Sequence, residues 1–505
     1  MEGNTMLRLK TIFSKPRTVL IAAAILFLPL LFIGTHHSHD WGDDFAQYIH
    51  QAGNIVQGIP QAETGYVYNE LNPSIGPKAY PMGFPLLLSP IYALAGNNID
   101  AFIKLVSIFY ILLGLLIIVF FRQYFSLLTA FILAIIFMYN PQMVLFKREV
   151  MSDIPFAALL VLNFILYRKA KPGNLKQIVA LALVTGFMLT IRPAGIVFMI
   201  AVLMEQFIFL IHRKIKIKDF GIIGGAIILI PLLVYYIINI SIFKIPSGGG
   251  IHDYLIFFNP AILFKTITEN LAHYLEALRY LYVPQAGIFM GFSLLLGSVM
   301  VTLTMTGFLK RLLKGPEMTE WFFVFYIIML LVYQYSNSAI RLMVPLGFLF
   351  LFYAATGLKT VQLLPQVSGS KKSVVIGIMI MILFIPGIKN ITRSGGFTIE
   401  GSQQKTAVET FEFIKKNVPA DAVVVFAKPR ALALYGGCRS LADPRSDDPT
   451  MMHNQITKAN ASYLLFCTQL TDELMYRYSR VMQHRISKQF ENKDFVLYKI
   501  NPVSR

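Results

Sequence analysis

Charge is scarce in this chain, and acidic charge scarcest. Only 14% of its 505 residues are Asp, Glu, Lys or Arg, with 27 acids against 45 bases. A water-facing globule of this length would carry nearer a quarter, so most of the chain is not built for water. Cysteine is almost missing: Cys438 and Cys467 are too few for a disulfide scaffold or a metal knuckle. The hydrophobic residues reach 55%, with 41 Phe and 24 Tyr, and the mean hydropathy is +0.60.

Apolar runs of bilayer length recur along most of the chain, which reads as an all-α polytopic membrane protein. Window hydropathy expects about eleven spans, near 18–34, 99–121, 126–140, 152–168, 176–191, 194–211, 220–243, 286–309, 320–336, 341–358 and 373–389. The first run is long and no small-residue cleavage site follows, so it reads as an anchor rather than a cleaved leader. The net charge of +18 comes from loops. Arg8, Lys10, Lys15 and Arg17 precede span one; Arg168, Lys169, Lys171 and Lys176 follow span four; Arg213, Lys214, Lys216 and Lys218 follow span six. Every second connection is basic, which places those connections and the N-terminus in the cytoplasm of a plasma (inner) membrane protein. No aromatic-basic surface motif accompanies the charge, so nucleic acid is not an expected partner.

The expected domains are therefore 1–390, carrying the spans and a first external loop over 35–98, and 391–505, an extracytoplasmic tail. In the tail, "SQQKTAVETFEFIKKNV" has helical periodicity opened by Ser402, while "AVVVFA", "YLLFC" and "FVLYKI" read as short buried strands. That alternation indicates a small α/β domain. It has no Gly-rich phosphate loop and no triad-like spacing, so it suggests no chemistry of its own.

The scarce acids are not scattered. "THHSHDWGDDFAQY" puts His36, His37, His39, Asp40, Asp43 and Asp44 at the lip of the first span. Phe45, Ile49, Ala52 and Val56 then follow at helical spacing until Gly58 and Pro60. Asp43 and Asp44 fall at the N-cap and first turn, where a carboxylate can simply satisfy free amides. One cap needs one carboxylate, however, and three crowd within five positions. A helix start also keeps a carboxylate ionised and able to take a proton, and an interfacial helix would hold it at head-group depth. His beside Asp also admits a divalent metal, zinc or manganese, although the spacing resembles no recognised ligand pattern and a solvated polar flank accounts for it better. Further on, Pro81, Pro85 and Pro90 break "KAYPMGFPLLLSPIYALAGN" into something other than a regular span. "NPQMVLFKREVMSDIPFAAL" sets Lys147, Arg148, Glu149 and Asp153 at the next outward connection, with capping by Ser152 or Asp153 as the plain alternative. Arg192 and Arg341 lie at outer span ends, where an arginine can also just snorkel. Glu205 is the main acid inside a span.

Four fragments in order, "GDDFAQYIHQAGNIVQG", "YPMGFPLLLSPIYALAG", "REVMSDIPFAALLVL" and "RLMVPLGFLFLFYAATGL", resemble bacterial glycosyltransferases of the GT-C fold. The closest groups are the protein O-mannosyltransferase-like and aminoarabinose-transferase-like enzymes, and the resemblance covers about residues 15–360. It implies an enzyme that moves a sugar from a polyprenyl-phosphate carrier to a lipid, glycan or protein acceptor outside the cytoplasm, among membrane lipids. The family pair Asp-Glu reads Asp43-Asp44 here, and the Lys that precedes the proline in the aminoarabinose group reads Tyr80, with Lys78 two residues earlier. An attacking hydroxyl or amine needs a carboxylate base, and one-step displacement inverts the anomeric centre. The resemblance makes Asp43 the base, with Asp44 and Asp153 assisting. Lys78, Arg148 and Arg341 become the donor-phosphate partners, since a leaving phosphate needs cations; Asp40, Tyr80, Glu149 and Arg192 complete the candidates. A transporter or a non-catalytic lipid-binding protein is the competing class. Transporters place ionisable groups at mid-membrane within repeats, and no repeat is visible here.

Overall fold

The computed structural model describes residues 15–33, 38–171, 173–245, 259–282, 290–333, 339–360 and 401–501. The span expected near 373–389, together with His36 and His37, lies outside the described residues. Four described helices are long and apolar enough to cross a membrane: Ile99–Phe121, Pro193–Ile211, Ile217–Ile242 and Arg341–Thr360. Pro16–Leu31, Gly83–Ala95, Leu127–Met138, Leu175–Ile191 and Met318–Val332 are shorter apolar helices. The chain divides into two compact units. One comprises Met1–Thr35, Ile103–Ile238 and Tyr254–Gly396; the other comprises His36–Phe102, Asn239–Asp253 and Phe397–Arg505. The first external loop, which hydropathy groups with the spans, thus clusters with the tail.

In the first unit, polar side chains start the helices where the apolar runs begin. The Ser126 hydroxyl accepts from Thr129 N–H at 3.2 Å, and Asn174 caps Leu175–Ile191 by accepting from Gln177 N–H at 3.2 Å. A Glu317/Glu320 capping box opens Met318–Val332. Helices Met290–Lys314 and Gly347–Thr360 touch backbone to backbone at Gly307 and Gly357. A Cβ on Gly307 would stand 1.9 Å from the Tyr353 carbonyl oxygen, so only glycine permits this approach. Glu205, the sequence's exception, accepts from Met318 N–H at 2.8 Å and from the Tyr167 hydroxyl. It serves as a cap for a neighbouring helix start.

The second unit is built on a six-stranded sheet: β1 (Tyr66–Val67), β2 (Val423–Val425), β3 (Arg439–Leu441), β4 (Ala461–Cys467), β5 (Ile486–Glu491) and β6 (Phe495–Ile500), in the order β1-β3-β2-β4-β6-β5. The pairs β1/β3, β3/β2 and β2/β4 are parallel, and β6 pairs antiparallel with both β4 and β5. Both faces are covered, as a parallel sheet requires. Val424, Leu465 and Leu497 pack on Phe411 and Ile414 of helix Lys405–Asn417, whereas Val423, Val425, Leu464 and Phe466 pack on Met452, Ile456 and Met475. The strands expected at "AVVVFA", "YLLFC" and "FVLYKI" are β2, β4 and β6. The helix expected from Ser402 begins instead at Lys405, because Gly401–Gln403 forms a 3-10 turn around Gly401 at φ 63°. Cys438 and Cys467 are buried free thiols.

The edge strand β1 comes from the loop after the first apolar helix. Ser440 N–H donates to the Gly65 carbonyl at 2.9 Å, and the Asn69 and Asn72 amides donate to the carbonyls of Ala442 and Asp443 at 2.7 and 3.0 Å. Loop and tail are one hydrogen-bonded fold.

Candidate active site

The loop helix spans Asp44–Gln57 and ends on Gly58, whose φ of 69° is open to glycine. Phe45, Ile49 and Ala52 are buried along one face as the spacing requires, and Val56 at the end is exposed. Asp43 stands at the N-cap position but makes no side-chain cap to this helix. Its carboxylate caps another one. Helix Pro429–Gly436 follows β2, and its first amides meet Asp43: Arg430 N–H donates to Oδ2 at 3.3 Å and Ala431 N–H to Oδ1 at 3.2 Å. A helix N-terminus after a parallel strand is an anion site, and here the protein's own carboxylate fills it. Burial pushes Asp43 up to about 6, against the pull of Arg430, Lys428 and the two amides.

Asp44 is bound differently. Its Oδ1 accepts from the Tyr80 hydroxyl at 2.6 Å and from Arg430 Nη1 at 3.1 Å, and Nη1 also donates to the Tyr80 oxygen at 2.9 Å. Arg430 Nη2 donates to the Pro77 carbonyl at 2.7 Å. The guanidinium lies 5.0 Å from the Tyr66 ring centre and 4.8 Å from that of Tyr80, and Arg430 is 1% exposed. Gly76, at φ 98°, leaves the space: a Cβ there would come within 3.1 Å of both Arg430 Nη2 and the Tyr80 hydroxyl. Gln51 grips the Tyr80 backbone on both sides, accepting from its N–H at 2.8 Å and donating to its carbonyl at 3.0 Å. Tyr80 therefore supplies a hydroxyl to Asp44. The Lys78 side chain is exposed, and only its carbonyl enters the cluster, accepting from Gln47. Asp40 turns away to His39 (3.1 Å) and to Gly42 N–H (2.8 Å); burial opposes its charge, but these two hold it at about 2. The His39 ring stacks on Phe45 at 4.0 Å.

The other unit holds a second charged cluster. Asp153 opens helix Asp153–Lys169, is 1% exposed, and has both oxygens engaged. Oδ1 accepts from Arg192 and Oδ2 from Arg341 Nε at 2.9 Å. Ser152, at the N-cap, makes no side-chain cap. Arg192 ends helix Leu175–Ile191 in extended backbone ahead of Pro193, a conformation that proline enforces on the residue before it. Arg148 pairs with Glu149 at 3.5 Å. Lys147 is 0% exposed, its Nζ has no hydrogen-bond partner among the described residues, and burial lowers it to about 8.

Asp43, Asp44 and Tyr80 thus come together, as do Asp153, Arg192 and Arg341. Arg430 is the residue the sequence concealed. Its only local signal is "AKPRALALY" after a buried strand, a proline-opened helix start with a cation in the first turn.

With this geometry in hand, comparisons with known proteins become informative. Residues 79–238, which include Tyr80, Asp153 and Arg192, match the family model described as dolichyl-phosphate-mannose-protein mannosyltransferase. Comparison with curated proteins finds no significant match. Among solved structures, the oligosaccharyltransferase AglB from Archaeoglobus fulgidus, in complex with an inhibitory peptide and a dolichol-phosphate, is similar at 12% identity and TM-score 0.55, over 94% of this chain and 72% of that one. ArnT from Cupriavidus metallidurans, bound to undecaprenyl phosphate, is similar at 13% identity and TM-score 0.52, over 96% and 98%. The mycobacterial arabinofuranosyltransferase AftD is similar at 11% identity and TM-score 0.51, over 96% of this chain and 41% of that one. The fold is that of the GT-C membrane glycosyltransferases.

Proposed function

We propose that this chain is an integral-membrane glycosyltransferase that moves a sugar from a polyprenyl-phosphate carrier to an extracytoplasmic lipid, glycan or protein acceptor, with inversion. The observation that carries the reading is Asp43. A carboxylate at the start of the loop helix, held at about 6 by burial, is a base matched to neutral pH. Each of its oxygens spends one lone pair on an amide, which fixes the carboxylate plane and leaves the second lone pair for a proton. Asp43 takes the proton of the acceptor hydroxyl or amine as the oxygen or nitrogen attacks the anomeric carbon. Asp44, beside it, orients the acceptor. The carrier phosphate leaves with the bonding pair and needs positive charge. Arg341 and Arg192 supply it, with Asp153 fixing both forks; Arg148 and Lys78 stand as secondary partners. The lipid-linked ligands named for AglB and ArnT support such a donor here. The alternation of basic connections supports a cytoplasmic N-terminus and an extracytoplasmic tail.

The test is mass spectrometry of lipid and glycan fractions from cells with and without the gene, paired with transfer assays on the purified full-length chain. One monosaccharide should vanish from one fraction, and its polyprenyl-phosphate form should serve as donor in vitro. Unaltered fractions, with no transfer from any polyprenyl-phosphate sugar, would overturn the reading.

A further inference from the structure

We propose that Arg430, a tail residue, is a positioning residue for the acid pair of the first loop, so that the tail domain is part of the catalytic apparatus rather than an accessory to it. The inference rests on the glycosyltransferase reading above and extends it to a part of the chain in which the sequence shows no chemistry.

Three observations carry it. One residue holds both acids by different means: its backbone N–H reaches Asp43 Oδ2 and its side chain reaches Asp44 Oδ1. Rotation of the Pro429–Gly436 helix would therefore disturb the two carboxylates together, and loss of the guanidinium would break the Asp44 contact and remove the charge that draws Asp43 down. Next, a fully buried guanidinium is an expensive way to fill space. Apolar residues of similar volume usually stabilise a core as well or better than a buried ion pair, so a packing role alone does not account for it. Finally, its contacts are shaped for the pair. Arg430 Nη1 donates to Asp44 and Tyr80 at once, Nη2 is anchored on the Pro77 carbonyl, and the Tyr66 and Tyr80 rings flank the cation. Gly76 has the backbone conformation and the missing side chain that give the fork its room.

The chemistry follows from the charge of the guanidinium. A cation beside a buried carboxylate favours its charged form and lowers the pH at which it takes a proton. A base that already holds a proton accepts none. The Arg430 charge draws Asp43 down against its burial, while the Arg430 fork and the Tyr80 hydroxyl hold the Asp44 carboxylate in place.

The test uses the full-length enzyme in nanodiscs and reads kcat and kcat/KM against pH. Arg430→Met keeps the backbone amide and the apolar stem but removes the charge. Its acidic limb should move to higher pH by about one unit or more, and kcat near neutral pH should fall at least about twofold with donor KM little changed. Arg430→Lys keeps the charge without the fork, so its limb should stay in place while kcat falls by less. A folded Arg430→Met enzyme whose limb coincides with that of wild type overturns the proposal. Should Arg430→Met not accumulate, Arg430→Lys decides: a displaced limb or an unchanged kcat overturns it. The same displacement is readable without turnover, in the pH dependence of thermal unfolding. If the wild-type chain transfers no sugar, the functional reading falls, and this titration still decides whether Arg430 sets the ionisation of the pair.

Discussion

Replacing Asp43 by Asn changes charge, hydrogen bonding and activity in separable ways. Asp43 stands above its unfolded value of 3.8, at about 6, so its contribution to stability is present in full below pH 4 and is lost as pH rises through 6. The lost amount is about 3 kcal/mol by the linkage relation. At pH 7, Asn removes that cost of ionisation. It also turns one –NH2 toward a backbone N–H, because both carboxylate oxygens accept from amides and Asn offers only one oxygen. An unsatisfied buried donor costs about 1–3 kcal/mol. The two terms nearly cancel, so wild type and variant should have similar unfolding midpoints at pH 7 and diverge as pH falls below about 6, where wild type gains and the variant does not. The assay is thermal or denaturant unfolding of both proteins in one detergent across pH 4.5–7.5, beside transfer rates. Transfer should fall by about 10²–10⁴-fold. Parallel stability curves would mean that Asp43 does not titrate in this window, and would refute it as a base poised near neutrality.

Lys147→Met should stabilise the fold at pH 7 by about 3 kcal/mol, since the lysine is wholly buried and lowered to about 8 from its ordinary 10.5. Here the unfolded chain binds the proton more tightly, so the penalty is present below pH 8, and the gap between variant and wild type should close as pH rises toward 10. Equal midpoints at pH 7 would show that this ammonium has a partner in solution. Arg341→Ala should weaken binding of a polyprenyl-phosphate sugar in detergent by at least about tenfold, and Arg341→Lys should weaken it too, because a point charge does not replace a fork. Unchanged donor affinity in Arg341→Ala would move the phosphate contact to Arg148 or Lys78.

Legibility tracked sequence distance. The loop helix could be read to within a residue because its apolar spacing, its acidic start and its Gly58 stop all lie within one short segment. Strands β4 and β6 were legible for the same reason, as runs of β-branched and aromatic residues bounded by turns. β1 was not, because two residues are too few for a periodic signal, and its partner stands some 370 positions away. The acids were visible as acids, but the object they cap was not. A carboxylate at a helix start is expected to cap that helix, and nothing local in "GDDFAQY" reveals that Asp43 turns to a second helix start in the tail. Arg430 was hidden further still, since its burial is the work of Gly76, Pro77 and Tyr80, none of which is near it in sequence.

The strand that the first loop lends to the tail also sets a timetable. Tyr66 and Val67 leave the ribosome long before Ser440 and Leu441, their partners in the sheet. At about 5–20 residues per second, that interval is roughly 20–75 s. Throughout it the Asn69 and Asn72 amides lack their carbonyl acceptors, and Asp43 and Asp44 lack the helix and the arginine that hold them. Every nascent chain therefore passes through a long stage in which the loop after its first apolar helix is made but cannot finish folding. A message truncated just before the tail would yield a protein with its apolar helices made and that loop left without its partner strand, open to proteases.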